Sequence, residues 1–211
     1  METNDLIKLL AQDAPVRSRI GRTLALAAVA GILISGSMFF AGIGFRDDIA
    51  AAMQTGRFLF KFVFTIALAT TAFAVVQRIG RPGVPLKLWT WALLLAPLLL
   101  VAAASAEMMI MPEASWRPRM MGHNARFCLT FIPLLSIGPL ACFLFALRQG
   151  APERPGFAGA VAGLAASGIA ATFYASNCTD DSPLFVAFWY PIAIALVTLA
   201  GYIAGSKLLR W

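Results

Sequence analysis

Charge is scarce in this sequence. Only 13% of its 211 residues are Asp, Glu, Lys or Arg, and it has a single histidine, His123. One imidazole excludes most metalloenzyme designs, HExxH among them, and no Ser-His-Asp or paired-carboxylate constellation is present. Nor is there room for a soluble catalytic domain, because apolar blocks consume most of the length. The chain is therefore expected not to be an enzyme, and no resident cofactor is expected.

What fills the sequence is hydrocarbon. Hydrophobic residues make up 60% of it, and the mean hydropathy is +0.78. Six blocks of about 20 residues, near 23–44, 58–77, 86–106, 126–147, 157–176 and 184–206, are each long enough to cross a hydrocarbon core of roughly 30 Å as a helix. The expected fold is all-α: a polytopic bundle of six transmembrane helices. Between the blocks, the chain turns on charge, Gly and Pro, as in Arg46-Asp47-Asp48, Arg78-Ile79-Gly80-Arg81-Pro82-Gly83 and Asn177 to Pro183. Arg22 ahead of a long apolar block is similar to a signal peptide. However, Glu2, Asp5 and Asp13 precede it and the block runs past 20 residues, so it reads as a retained span.

The net charge of +7 does not point to nucleic acid. The basic residues stand singly near helix ends, where they anchor the chain at anionic lipid, and no direct nucleic-acid binding is expected. Their distribution sets an orientation. One side of the bundle collects 11 of them (Lys8, Arg17, Arg19, Arg22, Arg78, Arg81, Lys87, Arg148, Arg154, Lys207 and Arg210). The other collects 6 (Arg46, Arg57, Lys61, Arg117, Arg119 and Arg126). By the positive-inside rule both termini face the cytoplasm. That gives a cytoplasmic leader 1–22, a transmembrane domain 23–206 with outer loops 45–57, 107–125 and 177–183, and a cytoplasmic tail 207–211. In a Gram-negative cell the outer loops lie in the periplasm.

At membrane depth the ionisable groups are Lys61 and Glu107, both close to an interface. Pumps and ion-coupled transporters usually need such groups deeper, so their absence argues against transport, although an uncharged pore needs none. In the fifth block, Gly159, Gly163, Ser167 and Ala171 recur every four residues, a small-residue stripe suited to close packing within the chain. Pro97, Pro133, Pro139 and Pro191 fall inside spans and should kink them.

Two features are not demanded by the physics of a bundle. In the leader, Thr3 or Asn4 can cap a short helix with Leu6, Ile7, Leu10 and Ala14 on one face. At about ten residues it is marginal alone in water, so its apolar face needs the inner leaflet or a protein partner. The second feature is the cysteines. Cys128 heads the fourth span and Cys178 follows the fifth, so the up-down topology brings both to one face, while Cys142 lies about 21 Å deeper. Such a pair forms a structural disulfide, which spacing alone favours, or stays reduced and answers an oxidant or a soft metal. His123, Asp180 and Asp181 are candidates to complete a transient heavy-metal site. Cys142 reads as a small buried apolar residue.

Together these residues resemble the NrsF family of proteobacterial membrane proteins. The resemblance rests on the leader Asp5-Leu6-Ile7-Lys8-Leu9-Leu10-Ala11-Gln12-Asp13-Ala14-Pro15, on Cys128, and on Asn177-Cys178-Thr179-Asp180-Asp181-Ser182-Pro183-Leu184-Phe185 leading into Trp189-Tyr190-Pro191. It covers essentially the whole chain. It implies a membrane-bound anti-sigma factor that sequesters an extracytoplasmic-function sigma factor at the inner membrane. Metal or oxidative stress, sensed at the two periplasmic cysteines, would then release it. On this resemblance Leu6, Ile7 and Leu10 become apolar anchors for the sigma factor, Asp5 and Asp13 its polar partners, and Cys128 and Cys178 the sensor. Many relatives have His where this chain has Asn177, which weakens a ligand role there. The competing expectations are a small transporter or channel for a metal or thiol-reactive compound, and an assembly subunit of a membrane complex.

Overall fold

The computed structural model describes residues 20–80, 87–150 and 152–210, and every regular element among them is helical. The leader residues Asp5, Leu6, Ile7, Leu10 and Asp13 lie outside the described residues. Six helices are long and apolar enough to cross a membrane: α1 (Ile20–Gly42), α2 (Gly56–Ile79), α3 (Leu95–Ile110), α4 (Ala125–Leu147), α5 (Pro155–Ala175) and α6 (Pro183–Leu208). A short helix, Lys87–Ala92, leads into α3 and extends its apolar span to Trp89–Ile110. Short helices Ile49–Ala52 and Trp116–Met121, the second preceded by a 3-10 turn at Glu113–Ser115, lie in the connections before α2 and α4.

The helices alternate in direction, and close contacts at each end show it. Ile20, at the start of α1, packs on Gly80 after α2 and on Gly150 after α4. At the start of α5, Gly156 meets Tyr202 near the end of α6. At the opposite end, Arg46 after α1, Lys61 early in α2, Glu107 late in α3 and Asn124 before α4 all reach the segment between α5 and α6. Six antiparallel spans thus put the connections α1–α2, α3–α4 and α5–α6 on one side.

The centre of the bundle is α5, and its sequence explains why. An alanine- and glycine-rich helix has little side-chain bulk, so neighbours approach its backbone; 61% of its most apolar window is buried, the largest share of the six. Gly159 fits against Gly201 and Gly205 of α6, Gly163 against Val197 of α6, and Gly168 against Ala69 of α2. A Cβ at Gly159 would overlap the Gly201 carbonyl. The small-residue stripe is therefore an internal packing device. Outward-facing Leu26, Leu33, Leu98, Val101, Phe145 and Leu199 are all more than half exposed, the arrangement expected where the surrounding solvent is lipid.

The span boundaries differ most at α3. It runs through Glu107 to Ile110 rather than ending at 106, so Glu107 is a buried helical residue and not part of a loop. Pro97 sits in the first turn of α3, where it costs little, while Pro133 and Pro139 lie inside α4 and Pro191 inside α6. Cys142 is half-buried on α4 rather than fully enclosed.

Candidate functional site

The residues from Asn177 to Leu184 join α5 to α6, and they are held by polar contacts from α2 and α3 and from the residues just after α1 and just before α4. After α5 ends, the N–H groups of Asn177 and Cys178 both donate to the Tyr174 carbonyl at 3.0 Å, curling the chain inward. Asn177 Nδ2 donates to the Gly44 carbonyl at 3.0 Å, which ties the turn to the end of α1. Just beyond, the Arg46 guanidinium donates to both oxygens of Asp181, at 2.9 and 3.1 Å, and to the Cys178 carbonyl at 3.3 Å. Asp48 takes the other edge of the same guanidinium. This pairing raises Arg46 and holds the exposed Asp48 carboxyl below its usual range.

Lys61 enters from α2 with no exposed surface. Its ammonium donates to the Cys178 carbonyl at 2.7 Å and pairs with Asp181 at 2.6 Å. The Phe58 ring, also fully buried, has its centroid 5.0 Å from Lys61 Nζ and 5.7 Å from the Arg46 guanidinium carbon, so one aromatic ring serves two cations. A buried ammonium is tolerated only when paired and hydrogen-bonded. Asp181 supplies the pairing.

Asp180 faces the other way, toward α4. Its Oδ2 accepts from the backbone N–H of His123 at 2.9 Å and of Asn124 at 2.7 Å, and from Asn124 Nδ2 at 3.0 Å. The turn that presents these donors needs Gly122: its φ is +55°, and a Cβ there would overlap the Phe185 ring and crowd Asp180. Glu107 completes the enclosure from α3. Its Oε2 accepts from Ser182 Oγ at 2.6 Å and from the Leu184 N–H at 3.1 Å, while Oε1 faces Arg57 at 3.4 Å and Arg119 at 3.3 Å. An open cleft of about 450 Å³, bordered by Arg57, Arg119, His123 and Asp180, gives onto this enclosure.

Beneath the polar layer lie the thiols. Cys128, one turn into α4, and Cys178 belong to one buried cluster with Tyr174, Tyr190, Phe64 and Phe185, and their exposures are 0% and 1%. Cys178 Sγ donates to the Asp180 carbonyl at 3.8 Å. The neighbouring Cys128 thiol is the first cause that holds the Cys178 thiol below its ordinary range; burial and the charge of Asp180 oppose this, and the charge of Lys61 assists it. Tyr190 stacks obliquely on Tyr174 with ring centroids 6.1 Å apart, and its hydroxyl is buried without a hydrogen-bond partner.

The sequence places Cys128 and Cys178 together, and the structure does so too, but as free thiols rather than a disulfide. Both are sealed in the bundle, not displayed at its surface. His123 stands apart, 98% exposed, with Nδ1 3.7 Å from Asp180. Asp180 and Asp181 are occupied by N–H donors and cations, and among the described residues no three His, Cys, Asp or Glu form a group suited to a metal ion. In the sequence Lys61 and Glu107 read only as charges near an interface. Their rarity at membrane depth is the available signal, and Arg46, Arg57 and Arg119 give none.

The comparisons with known proteins agree on one family. A model described as "NrsF: Negative regulator of sigma F" matches residues 9–211. The "Probable anti-sigma-F factor NrsF" of Azospira oryzae is 31% identical over 214 residues, and the "Anti-sigma-F factor NrsF" of Caulobacter vibrioides is 32% identical over 217; each alignment covers 100% of both chains. No solved structure gives a significant match.

Proposed function

This chain belongs to the NrsF family of negative regulators of sigma F, and we propose that it is a membrane-bound anti-sigma factor for a sigma factor of the extracytoplasmic-function class. In this reading the bundle sits in the bacterial inner membrane with both termini in the cytoplasm. The leader 1–22 is the docking element: Leu6, Ile7 and Leu10 offer an apolar face, and Asp5 and Asp13 offer charge to basic residues of the partner. While docked, the sigma factor is withheld from its promoters.

The release signal in this reading is chemistry at Cys128 and Cys178. Modification by an oxidant or electrophile adds bulk or a new bond among side chains that are fully buried at the thiols, and the clamped segment 177–184 shifts with it. The observation that supports this is the convergence of α1, α2, α3 and α4 on that one segment. A shift there reaches four spans at once. At the far end Ile20, the first described residue and the start of α1, rests on Gly80 and Gly150, which follow α2 and α4. Rearranged spans therefore move the base of the docking element.

The test is retention. Full-length protein solubilised from membranes should copurify with one sigma factor, and loss of the protein should raise transcription from that factor's promoters without stress. Copurification with a different membrane complex and unchanged promoters would favour an assembly subunit.

A further inference from the structure

We propose that Lys61 is a positioning residue for Cys178, one that makes Cys178 rather than Cys128 the thiolate-forming member of the pair. This rests on the reading of the two thiols as the sensing site. The geometry begins with the ammonium itself. Lys61 Nζ is 2.7 Å from the carbonyl oxygen of Cys178, so the charge sits within a single residue's span of the thiol, and it is fully buried. Little water intervenes to screen it.

The surrounding charges do not cancel this arrangement. Asp181, which pairs with Lys61 at 2.6 Å, is independently held by both of its oxygens to Arg46, at 2.9 and 3.1 Å. Arg46 is shared in turn with Asp48. Asp180 is turned toward α4, onto three N–H groups of His123 and Asn124, but its charge opposes ionisation of Cys178 and is outweighed. From the helices, Tyr174 of α5, Tyr190 of α6 and Cys128 of α4 share the buried cluster with Cys178. Arg46 and Lys61 together balance Asp48 and Asp181, and of the two cations Lys61, delivered by α2, makes the shorter contact with the Cys178 carbonyl, 2.7 against 3.3 Å. Cys128, one turn inside α4, packs among aromatic and apolar side chains instead.

Chemistry at the pair needs one thiolate, since the thiolate is the nucleophile. A bundle that buried two equivalent thiols in hydrocarbon would have neither ionised. Placing a lysine at the mouth of the membrane, beside one thiol only, breaks that equivalence. It also accounts for a buried ammonium that packing alone does not require.

The experiment is a titration of the thiols themselves. Full-length Cys142→Ser protein, labelled with 13C at cysteine Cβ and held in detergent micelles, reports each remaining thiol as its own resonance. Cys178 should titrate first, below the ordinary thiol value of about 8.5. Lys61→Met should raise its midpoint by about one pH unit or more, and Lys61→Arg should restore most of the difference. Asp181→Asn, which removes the negative partner of Lys61, should lower it further. Cys128 titrating first in the parent protein would overturn the proposal whether or not the variants fold. So would an unmoved Cys178 midpoint in a Lys61→Met protein with parental helix content. No sigma factor is in the sample, so failure of the anti-sigma reading would leave these shifts intact.

Discussion

Glu107 Oε2 accepts the backbone N–H of Leu184 at 3.1 Å, which joins the end of α3 to the first turn of α6. The same oxygen takes Ser182 Oγ at 2.6 Å. A carboxylate at a helix N-terminus satisfies N–H groups that have no partner within the helix and complements the helix dipole. The contact matters for α3 in particular, because only 17% of its most apolar window is buried, the least of the six spans. Lipid-facing side chains gain nothing by leaving the bundle or staying in it, so α3 relies on its polar end to stay docked.

Replacing Glu107 should therefore loosen the bundle. Glu107→Ala leaves Ser182, Leu184 N–H, Arg57 and Arg119 without their shared acceptor and should cost about 3 kcal/mol. Glu107→Gln keeps one carbonyl acceptor and should cost about 1 kcal/mol. Unfolding of the purified protein in detergent, followed by helical circular dichroism, would measure both; equal costs would mean that the charge of Glu107 contributes nothing.

The glycines separate into those that are packed upon and those that are not. Gly159→Val drives a branched side chain into the Gly201 carbonyl and should cost about 3 kcal/mol or prevent α5 and α6 from closing. Gly42→Ala and Gly56→Ala meet nothing within 4 Å and should be tolerated within about 0.5 kcal/mol. The amount of folded protein in membranes ranks them; a well-folded Gly159→Val protein would show that the α5–α6 approach is not needed.

Much of this architecture was legible in the sequence. Blocks 126–147 and 184–206 fall within two residues of α4 and α6, because hydropathy reads span length directly. The small-residue stripe from Gly159 was legible for the same reason, since close helix packing has few substitutes for Gly. What was not legible depends on partners far along the chain. Glu107 reads as a loop residue until Ser182 and Leu184 reach it, and Lys61 reads as an interface charge until Asp181 does. The meeting of Cys128 and Cys178 followed from alternating spans. Their burial did not, since that depends on Arg46, Lys61 and Asn124 drawing the loop inward.

Orientation is open to direct labelling. In a background lacking the native cysteines, Glu113→Cys, in the α3–α4 connection, should react with a membrane-impermeant maleimide from outside intact spheroplasts. Glu153→Cys, at the opposite end, should react only after lysis; the basic bias predicts this assignment. The reverse pattern would place Cys128 and Cys178 near the cytoplasm.

Removing the thiols should separate sensing from holding. Cys128→Ser with Cys178→Ser should fold, retain the sigma factor and answer thiol-reactive stress poorly, while Cys142→Ser, half-buried and remote from the pair, should answer normally. Promoter activity after exposure to an electrophile is the readout. A double variant that responds like the parent would make the thiols structural.

The central claim is that the leader holds the sigma factor, and deleting residues 2–14 tests it most directly. None of the six spans is touched, so membrane abundance by immunoblot should be unchanged. Changing Leu6 and Leu10 together to Asp is the point-mutant equivalent: each buried Leu contributes roughly 1.5 to 3 kcal/mol, so the complex should weaken by at least about a hundredfold. Under either change, the sigma-dependent promoters should be active without stress and the sigma factor should no longer copurify. Silent promoters at normal membrane abundance would contradict the account and move the docking site away from the leader.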